Sequence, residues 1–228
     1  GEQRHGGLTQ FGRAMVREMN RSGMLVDLSH ISPAAMHQSL DASQAPVIWS
    51  HAAARALVDH PRNVPDDVLQ RLPQNGGVVM VTFVPSFLSQ EVWDMEQTLW
   101  DTGASLESIM DFRKAWLDYD AEFGAKRATI EQLLDHIEHV RKVAGIDHVG
   151  IGSDYWGMPD GPIGLEDVSG FPRLFAALIC RGWSEADMRK LAGKNLLRVM
   201  RQAEAVAKHL QATTPASVKT IEQLDGAG

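Results

Sequence analysis

The sequence has one cysteine, Cys180, and no apolar run that approaches the roughly 18 residues of a membrane-spanning helix. A single cysteine cannot form a disulfide within the chain. Positive charge is also scarce, because 22 Lys and Arg stand against 29 Asp and Glu and leave a net charge of -7 with no basic block. Proteins that bind nucleic acid usually carry a concentrated basic surface. We therefore expect no internal disulfide, no membrane span and no nucleic-acid partner.

The sequence also lacks an initial Met and a charged, then apolar, leader, since it opens with Gly-Glu-Gln-Arg-His. The expectation is that any targeting segment was removed or never belonged to this chain. We expect a cytoplasmic location and leave export open. The 228 residues, 44% of them hydrophobic, are enough for one soluble globular domain or most of one.

Short apolar segments alternate with amphipathic segments along most of the chain. Strands are predicted at residues 24–28, 46–49, 78–83 and 148–152, and helices at residues 9–21, 32–43, 63–71, 129–144 and 184–210. Strands that are almost wholly apolar are typical of a parallel sheet covered by helices, which indicates an α/β architecture. Residues 85–126 are expected to form a helical insertion, and residues 212–228 a frayed tail.

Three predicted strands end in a side chain that can carry chemistry, namely His30, His51 and Asp154. In (β/α)8 barrels the active site is built at the C-terminal ends of the strands. The four predicted strands are half of the eight that a closed barrel needs. The sequence therefore predicts an incomplete TIM-like (β/α)8 barrel over residues 1–211.

The two histidines end successive strands in matching contexts, Asp-Leu-Ser-His and Ile-Trp-Ser-His. Adjacent parallel strands would bring His30 and His51 to one mouth, and two convergent imidazoles suit a divalent metal. The alternative is that each histidine caps its strand and hydrogen-bonds a loop. Asp154 could ligate the metal or exchange a proton with a metal-activated water, or it could form an Asx-turn or a helix cap.

Arg62 lies in His-Pro-Arg-Asn, after the loop that leaves His51 and before a predicted helix. Its guanidinium could donate two parallel hydrogen bonds to a substrate carboxylate. The alternative is a solvated arginine on the surface.

Three further patterns imitate functional motifs. The histidines of residues 135–139 lie on an amphipathic helix far from any strand end, so we expect them on a solvated or packed face. Residues 150–152 read Gly-Ile-Gly, but turn residues rather than a helix follow, which argues against a dinucleotide loop. Ser29 and Ser50 each precede a histidine, yet neighbours on a strand point to opposite faces and make a poor nucleophile pair.

These segments together resemble the C-terminal part of the membrane (renal) dipeptidases, peptidase family M19, which are metal-dependent amidohydrolase-like barrels. The most specific matches are Val-Asp-Leu-Ser-His (residues 26–30), Val-Ile-Trp-Ser-His (47–51) and Gly-Ile-Gly-Ser-Asp (150–154). The other matching segments are residues 7–12, 18–21, 62–67, 135–137, 143–149, 164–167 and 193–198.

The resemblance implies that His30 and His51 are ligands of one zinc of a binuclear site and that Arg62 holds the carboxylate of the substrate. It implies that Asp154 lies beside the metal-bridging hydroxide and carries its proton to the leaving amine. The family's other site residues, a His-x-Asp pair, a bridging Glu and an oxyanion-stabilising His, would all precede Gly7. Trp156 departs from the family's Asp-Phe-Asp-Gly pattern, since this chain reads Asp-Tyr-Trp-Gly.

The resulting hypothesis is a zinc-dependent dipeptidase that uses a metal-activated hydroxide, with a dipeptide as substrate. Because two histidines are too few for a catalytic zinc, we expect weak metal binding and little turnover from this chain alone. We expect a homodimer or association with the N-terminal half. The alternatives are a non-catalytic half-barrel that acts as an interaction module and another amidohydrolase that does not need Arg62.

Overall fold

The computed structural model describes residues 5–101, 109–124, 126–158 and 160–226. A parallel sheet lies at its centre and consists of β1 (Ile48–Ala52), β2 (Val78–Val81) and β3 (Val149–Ile151), hydrogen-bonded in that order. The α/β architecture with parallel strands is therefore confirmed.

The segment predicted as the first strand contributes only an isolated parallel bridge between Asp27 and Ile48. The backbone N–H of Leu28 donates to the carbonyl of Ile48 at 2.8 Å, and the N–H of Ile48 donates to the carbonyl of Val26 at 3.0 Å. This segment thus extends the sheet beyond β1 by one short pairing.

Helices precede and follow each strand. The helices that the structure describes are α1 Gln10–Ser22, α2 Pro33–Ala42, α3 Asp66–Leu69, α4 Leu72–Asn75, α5 Pro85–Leu88, α6 Gln90–Asp101, α7 Ile109–Phe123, α8 Ile130–Ala144, α9 Phe171–Cys180, α10 Glu185–Arg189, α11 Asn195–Thr213 and α12 Ile221–Asp225.

Local capping explains where the predicted helices begin. Thr9 accepts a hydrogen bond from the N–H of Gly12, and Ser32 caps α2 ahead of Pro33 at the first helical position. Thr129 and Gln132 form a capping box at the start of α8. A π-helical turn at Lys190–Lys194, in which Gly193 has non-helical φ and ψ angles, separates α10 from α11.

The main hydrophobic core lies between the sheet and the helices that cover it. Trp49, Phe83, Leu133 and Leu174 are fully buried in it. Burial of each such side chain contributes about 1.5–3 kcal/mol, so this layer holds the strand ends in fixed positions.

The insertion predicted at residues 85–126 is mostly helical in the part that the structure describes, where it forms α5, α6 and α7. Val92, Met95 and Leu99 of α6 pack with Trp116 of α7 in a small second core. Residues 102–108 and 125 of the predicted insertion lie outside the described residues.

The segment beyond Gln211 differs from the predicted frayed tail. α11 continues to Thr213, and α12 packs against α1, where the carboxylate of Asp225 accepts a hydrogen bond from the N–H of Phe11 at 3.1 Å. Residues 211–220 are exposed, but α12 contacts α1, which is distant in the sequence and gives no local signal in the tail. None of the described helices has both the length and the apolar character needed to cross a bilayer.

Candidate active site

A bulge in β1 shapes the end of this strand. Trp49 pairs with Val79 and Ala52 pairs with Val81, so Ser50 and His51 together lie opposite Met80. Two residues against one is the geometry of a β-bulge, which bends a strand and re-aims its side chains. As a result the hydroxyl oxygen of Ser50 lies 2.8 Å from Nδ1 of His51. The expectation that these neighbours point to opposite faces is wrong here, because the bulge removes the regular alternation.

His30 and His51 meet at this mouth of the sheet. Their Nε2 atoms lie 2.9 Å apart, and the two rings are in an edge-to-face arrangement with centroids 4.9 Å apart. The structure therefore brings together the two histidines that the sequence singled out.

Asp27 is a polar anchor beneath the two histidines that the sequence reasoning missed. Its carboxylate accepts hydrogen bonds from the hydroxyl and N–H of Ser29 at 2.7 and 3.1 Å, and from the hydroxyl and N–H of Ser50. Burial acts to raise the pKa of Asp27, but the hydrogen bonds from Ser50 and Ser29 outweigh it, and the pKa falls below its ordinary value. Asp27 is thus an ionised acceptor.

The charge of Asp27 fixes the tautomer of His51. Because the Ser50 hydroxyl donates to Asp27, its oxygen is free to accept the Nδ1–H of His51. Nε2 of His51 is then the unprotonated nitrogen and faces His30. A carboxylate that orients a metal-binding imidazole through its other nitrogen is a common second layer around metals. The signal in the sequence was the repeated Ser-His pair with an Asp before the first one.

The side chain of Arg62 extends to the two Nε2 atoms of His30 and His51. Its Nη2 lies 2.7 Å from Nε2 of His30 and 2.8 Å from Nε2 of His51, and its Nε donates to the carbonyl of Ser29 at 3.4 Å. The guanidinium also lies over the ring of Phe87, 4.9 Å from its centroid. Arg62 is therefore half-buried at the mouth rather than solvated on the surface.

The loop that carries Arg62 is anchored by a buried histidine. His60 stacks on Phe87 and meets the edge of Trp93, with both ring centroids 4.1 Å away, and its Nδ1 accepts the N–H of Arg62 at 3.2 Å. Burial lowers the pKa of His60 to about 3, so this imidazole is a neutral acceptor. Residues of α5 and α6 thus help to position Arg62.

Asp154 completes the cluster from the end of β3. Its Oδ2 lies 3.9 Å from Nε2 of His51. Asp154 has φ 58° and ψ 38°, and among the described residues no other non-glycine has a positive φ. A left-handed conformation of this kind is costly and is concentrated at functional sites.

Two glycines allow this approach. A Cβ on Gly152 would lie 1.9 Å from the carbonyl oxygen of Ser50, and a Cβ on Gly157 would lie 2.7 Å from Oδ2 of Asp154. Only glycine therefore fits between β3 and the bulge of β1.

The ligand atoms at this mouth are of a type that zinc prefers and point to one place, but there are fewer of them than a complete zinc site needs. Imidazole nitrogens are preferred zinc ligands, and the two Nε2 atoms converge on one point. Across the described ranges, however, no three His, Cys, Asp or Glu side chains gather closely enough to hold a metal. Catalytic zinc ordinarily has three protein ligands, so this cluster fits part of a zinc site.

A sequence profile described as membrane dipeptidase (peptidase family M19) matches residues 1–214. The chain belongs to this family. It is 43% identical over 220 residues to Dipeptidase tcpJ of Claviceps purpurea (strain 20.1), and the match covers 96% of this chain and 44% of that protein. It is 42% identical over 205 residues to an uncharacterized dipeptidase of Schizosaccharomyces pombe, with 90% of this chain and 42% of that protein covered.

Solved structures of dipeptidases share the fold of this M19 chain. The probable dipeptidase PvdM from Pseudomonas aeruginosa is 31% identical with a TM-score of 0.77, over 91% of this chain and 57% of that one. A metallo peptidase from Rhodobacter sphaeroides, solved with a phosphinate mimic of the dipeptide L-Ala-D-Ala, is 30% identical with a TM-score of 0.68, over 86% of this chain and 47% of that one. The chain spans less than half the length of the curated relatives it matches.

The M19 chain uses its other histidine-rich segment for structure. His136 is buried in α8, where its Nδ1 accepts the N–H of Ala54 at 3.0 Å, and burial lowers its pKa to about 4. His139 pairs with Asp66 at 2.7 Å. The prediction that residues 135–139 lie on a solvated or packed face is confirmed, since His136 is packed and Asp135 is exposed. A 3-10 turn at Tyr155–Gly157 rather than a helix follows residues 150–152, in agreement with the argument against a dinucleotide loop.

Proposed function

We propose that this chain is the C-terminal half of a (β/α)8 metallo-dipeptidase barrel and that His30 and His51 bind one zinc ion of its active site. The observation that carries the proposal is the convergence of the two Nε2 atoms, 2.9 Å apart, above the ionised Asp27. Imidazoles held in this way present two lone pairs to a single cation. Membership of a family whose named relatives are dipeptidases supports the reaction class.

A zinc ion bound here would supply Lewis acidity toward the scissile carbonyl and would lower the pKa of a water molecule. Asp27 and Ser50 would orient the ring of His51 so that its Nε2 faces the ion. The role proposed for Asp154 is to accept a proton at Oδ2 and to deliver it to the leaving amine, and its distance of 3.9 Å from Nε2 of His51 supports this role. The left-handed backbone conformation of Asp154 sets the direction in which this short side chain leaves the chain.

Arg62 is the proposed anchor for the free carboxylate of a dipeptide. Its guanidinium is at the mouth, its stem is packed against Phe87, and its planar group of donors matches a carboxylate. An anchor of this type would favour substrates in which the residue after the scissile bond is the last one. In the alternative hypothesis the protein is an amidohydrolase that acts on a cyclic amide or a lactone. Such substrates have no free carboxylate for Arg62 to hold.

The remaining metal ligands are proposed to come from a segment that precedes Gly7 in a longer protein or from an associated chain. Two histidines are fewer than the ligand set of a catalytic zinc, and the chain spans 44% of Dipeptidase tcpJ. Asp27 and His30 are exposed at the edge of the sheet, where further strands could be added. We also propose a homodimer and a cytoplasmic location. The division into a barrel part at residues 1–211 and a tail at residues 212–228 is a further proposal.

Zinc content tests the metal site directly. Because two protein ligands predict weak binding, the chain is dialysed to equilibrium against a fixed concentration of free zinc and analysed for bound metal, beside the double variant His30→Ala, His51→Ala. His209→Ala is the matched control because His209 is exposed on α11, away from the cluster. We expect wild type and the control to bind zinc weakly and to the same extent, and the double variant to bind none above background. Equal zinc in all three proteins, or none in wild type, contradicts the proposal and favours the interaction-module alternative.

A further inference from the structure

A cleft beside α1 is lined by cations. It lies between α1, the end of α11 and the segment that leads into α12, and its volume is about 520 Å3. Cavities of about 300–1,000 Å3 are typical of small-molecule sites. Arg13, Arg17 and Lys219 line it. None of the residues around it belongs to the cluster at His30 and His51.

The positive charge of this cleft is not neutralised from within. The one carboxylate among its lining residues, Glu18, is used by Arg21 at 2.7 Å and by the N–H of Ser217 at 3.2 Å. The hydrogen bond from Arg21 lowers the pKa of Glu18, so that carboxylate stays ionised and committed to Arg21. In the described part of the chain no ion pair forms with Arg13, Arg17 or Lys219, although the chain as a whole carries a charge of -7.

The positions of Arg13 and Arg17 on α1 are unfavourable for the stability of that helix. Arg13 and Arg17 are four residues apart on α1, where like charges repel each other. Local rules broken in this way are typical of sites selected for binding rather than for stability.

The cleft also has an apolar side. Ala14, Leu210, Pro215 and Leu224 line it together with the cations. We propose that this cleft binds a small organic anion, with a phosphate or carboxylate group held by Arg13 and Arg17 and an apolar group against Leu210 and Leu224. Two guanidinium groups can each donate a pair of hydrogen bonds to such an oxyanion, and Lys219 adds a point charge from the facing segment.

The test is calorimetric titration of the whole chain with phenyl phosphate, inorganic phosphate and phenol. The variant Arg13→Gln, Arg17→Gln removes the proposed clamp, and Arg13→Lys, Arg17→Lys keeps the charge without the planar donors. The matched control is Arg201→Gln, Lys208→Gln, which removes two exposed charges from α11 outside the cleft. Circular dichroism verifies that each variant keeps its helices.

We expect phenyl phosphate to bind wild type and the α11 control alike and to bind the Arg13→Gln, Arg17→Gln variant about tenfold or more weakly. The lysine variant should bind with intermediate affinity, inorganic phosphate should bind wild type more weakly than phenyl phosphate, and phenol should not bind. Three results overturn the proposal. They are no binding to wild type at millimolar concentration, equal binding by the glutamine variant, and an equal loss in the α11 control.

Discussion

The Nε2 atoms of His30 and His51 lie 2.9 Å apart although 21 residues separate the two histidines in the sequence. One histidine follows the single bridge that the Asp27 segment makes with the sheet, and the other lies in the bulge of β1. Asp27 connects them from below through Ser29 and Ser50.

Replacement of Ser50 by Ala should weaken zinc binding by about tenfold, because the Nδ1–H of His51 loses the acceptor that fixes its tautomer and orientation. Zinc affinity is measured by competition with a chromophoric chelator. Ser22→Ala is the control, since Ser22 only donates to backbone carbonyls of α1. An unchanged affinity in the Ser50 variant would show that Asp27 and Ser50 do not orient His51.

Replacement of Arg62 by Met should raise the KM for a dipeptide by tenfold or more while leaving the hydrolysis of its C-terminal amide nearly unchanged. The physical reason is that only the free carboxylate receives charge-assisted hydrogen bonds from the guanidinium. The kinetics of wild type and the Arg62 variant are compared after each zinc-loaded chain is combined with the N-terminal segment proposed to supply the remaining metal ligands. A similar KM for the dipeptide in both proteins would favour the amidohydrolase that does not use Arg62.

Much of the scaffold could be predicted from the sequence because its signals are local. Thr9, Ser32 and Thr129 each accept a hydrogen bond from a backbone N–H three residues later, so the start of each helix has a local signal. The apolar residues in β1, β2 and β3 predict buried strands in the same local way. The bulge could not be predicted, because it depends on how β1 pairs with a strand about 30 residues away. The role of Asp27 was missed for the same reason, since its partners at Ser50 arrive through sheet pairing.

Replacement of Gly152 by Ala should lower the free energy of unfolding by about 2 kcal/mol, because the new methyl group would collide with the carbonyl of Ser50. The same change should weaken zinc binding by displacing β1 from β3. Gly193→Ala is the control, because a Cβ at that position meets no atom within 4 Å. Both effects are measured, by urea unfolding and by chelator competition. A Gly152 variant as stable as the control would mean that β3 need not approach the bulge.

Glu96, which lies in α6 of the helical insertion, should make the free energy of unfolding depend on pH. Burial raises its pKa from an ordinary value of 4.5 to about 7, against a hydrogen bond from Ser86 that lowers it. A raised folded-state pKa stabilises the protein fully below pH 4.5, and this contribution is lost as the pH rises through 7. The full effect is on the order of 3 kcal/mol.

The variant Glu96→Gln should therefore flatten the pH dependence of urea unfolding between pH 5 and pH 8, because a neutral amide has no proton to lose. Glu91→Gln on the same helix is the matched control, since Glu91 is exposed. If Glu96→Gln and wild type lose the same stability between these two pH values, Glu96 does not titrate in this range in the folded protein.

X-ray absorption at the zinc edge of the zinc-loaded chain tests the central claim most directly. If His30 and His51 bind one ion, the spectrum should show two imidazole nitrogens at about 2.0–2.1 Å, and the variant His51→Ala should show fewer. No imidazole scattering, or a sulfur at about 2.3 Å from the exposed Cys180, would contradict the assignment of the metal to these histidines.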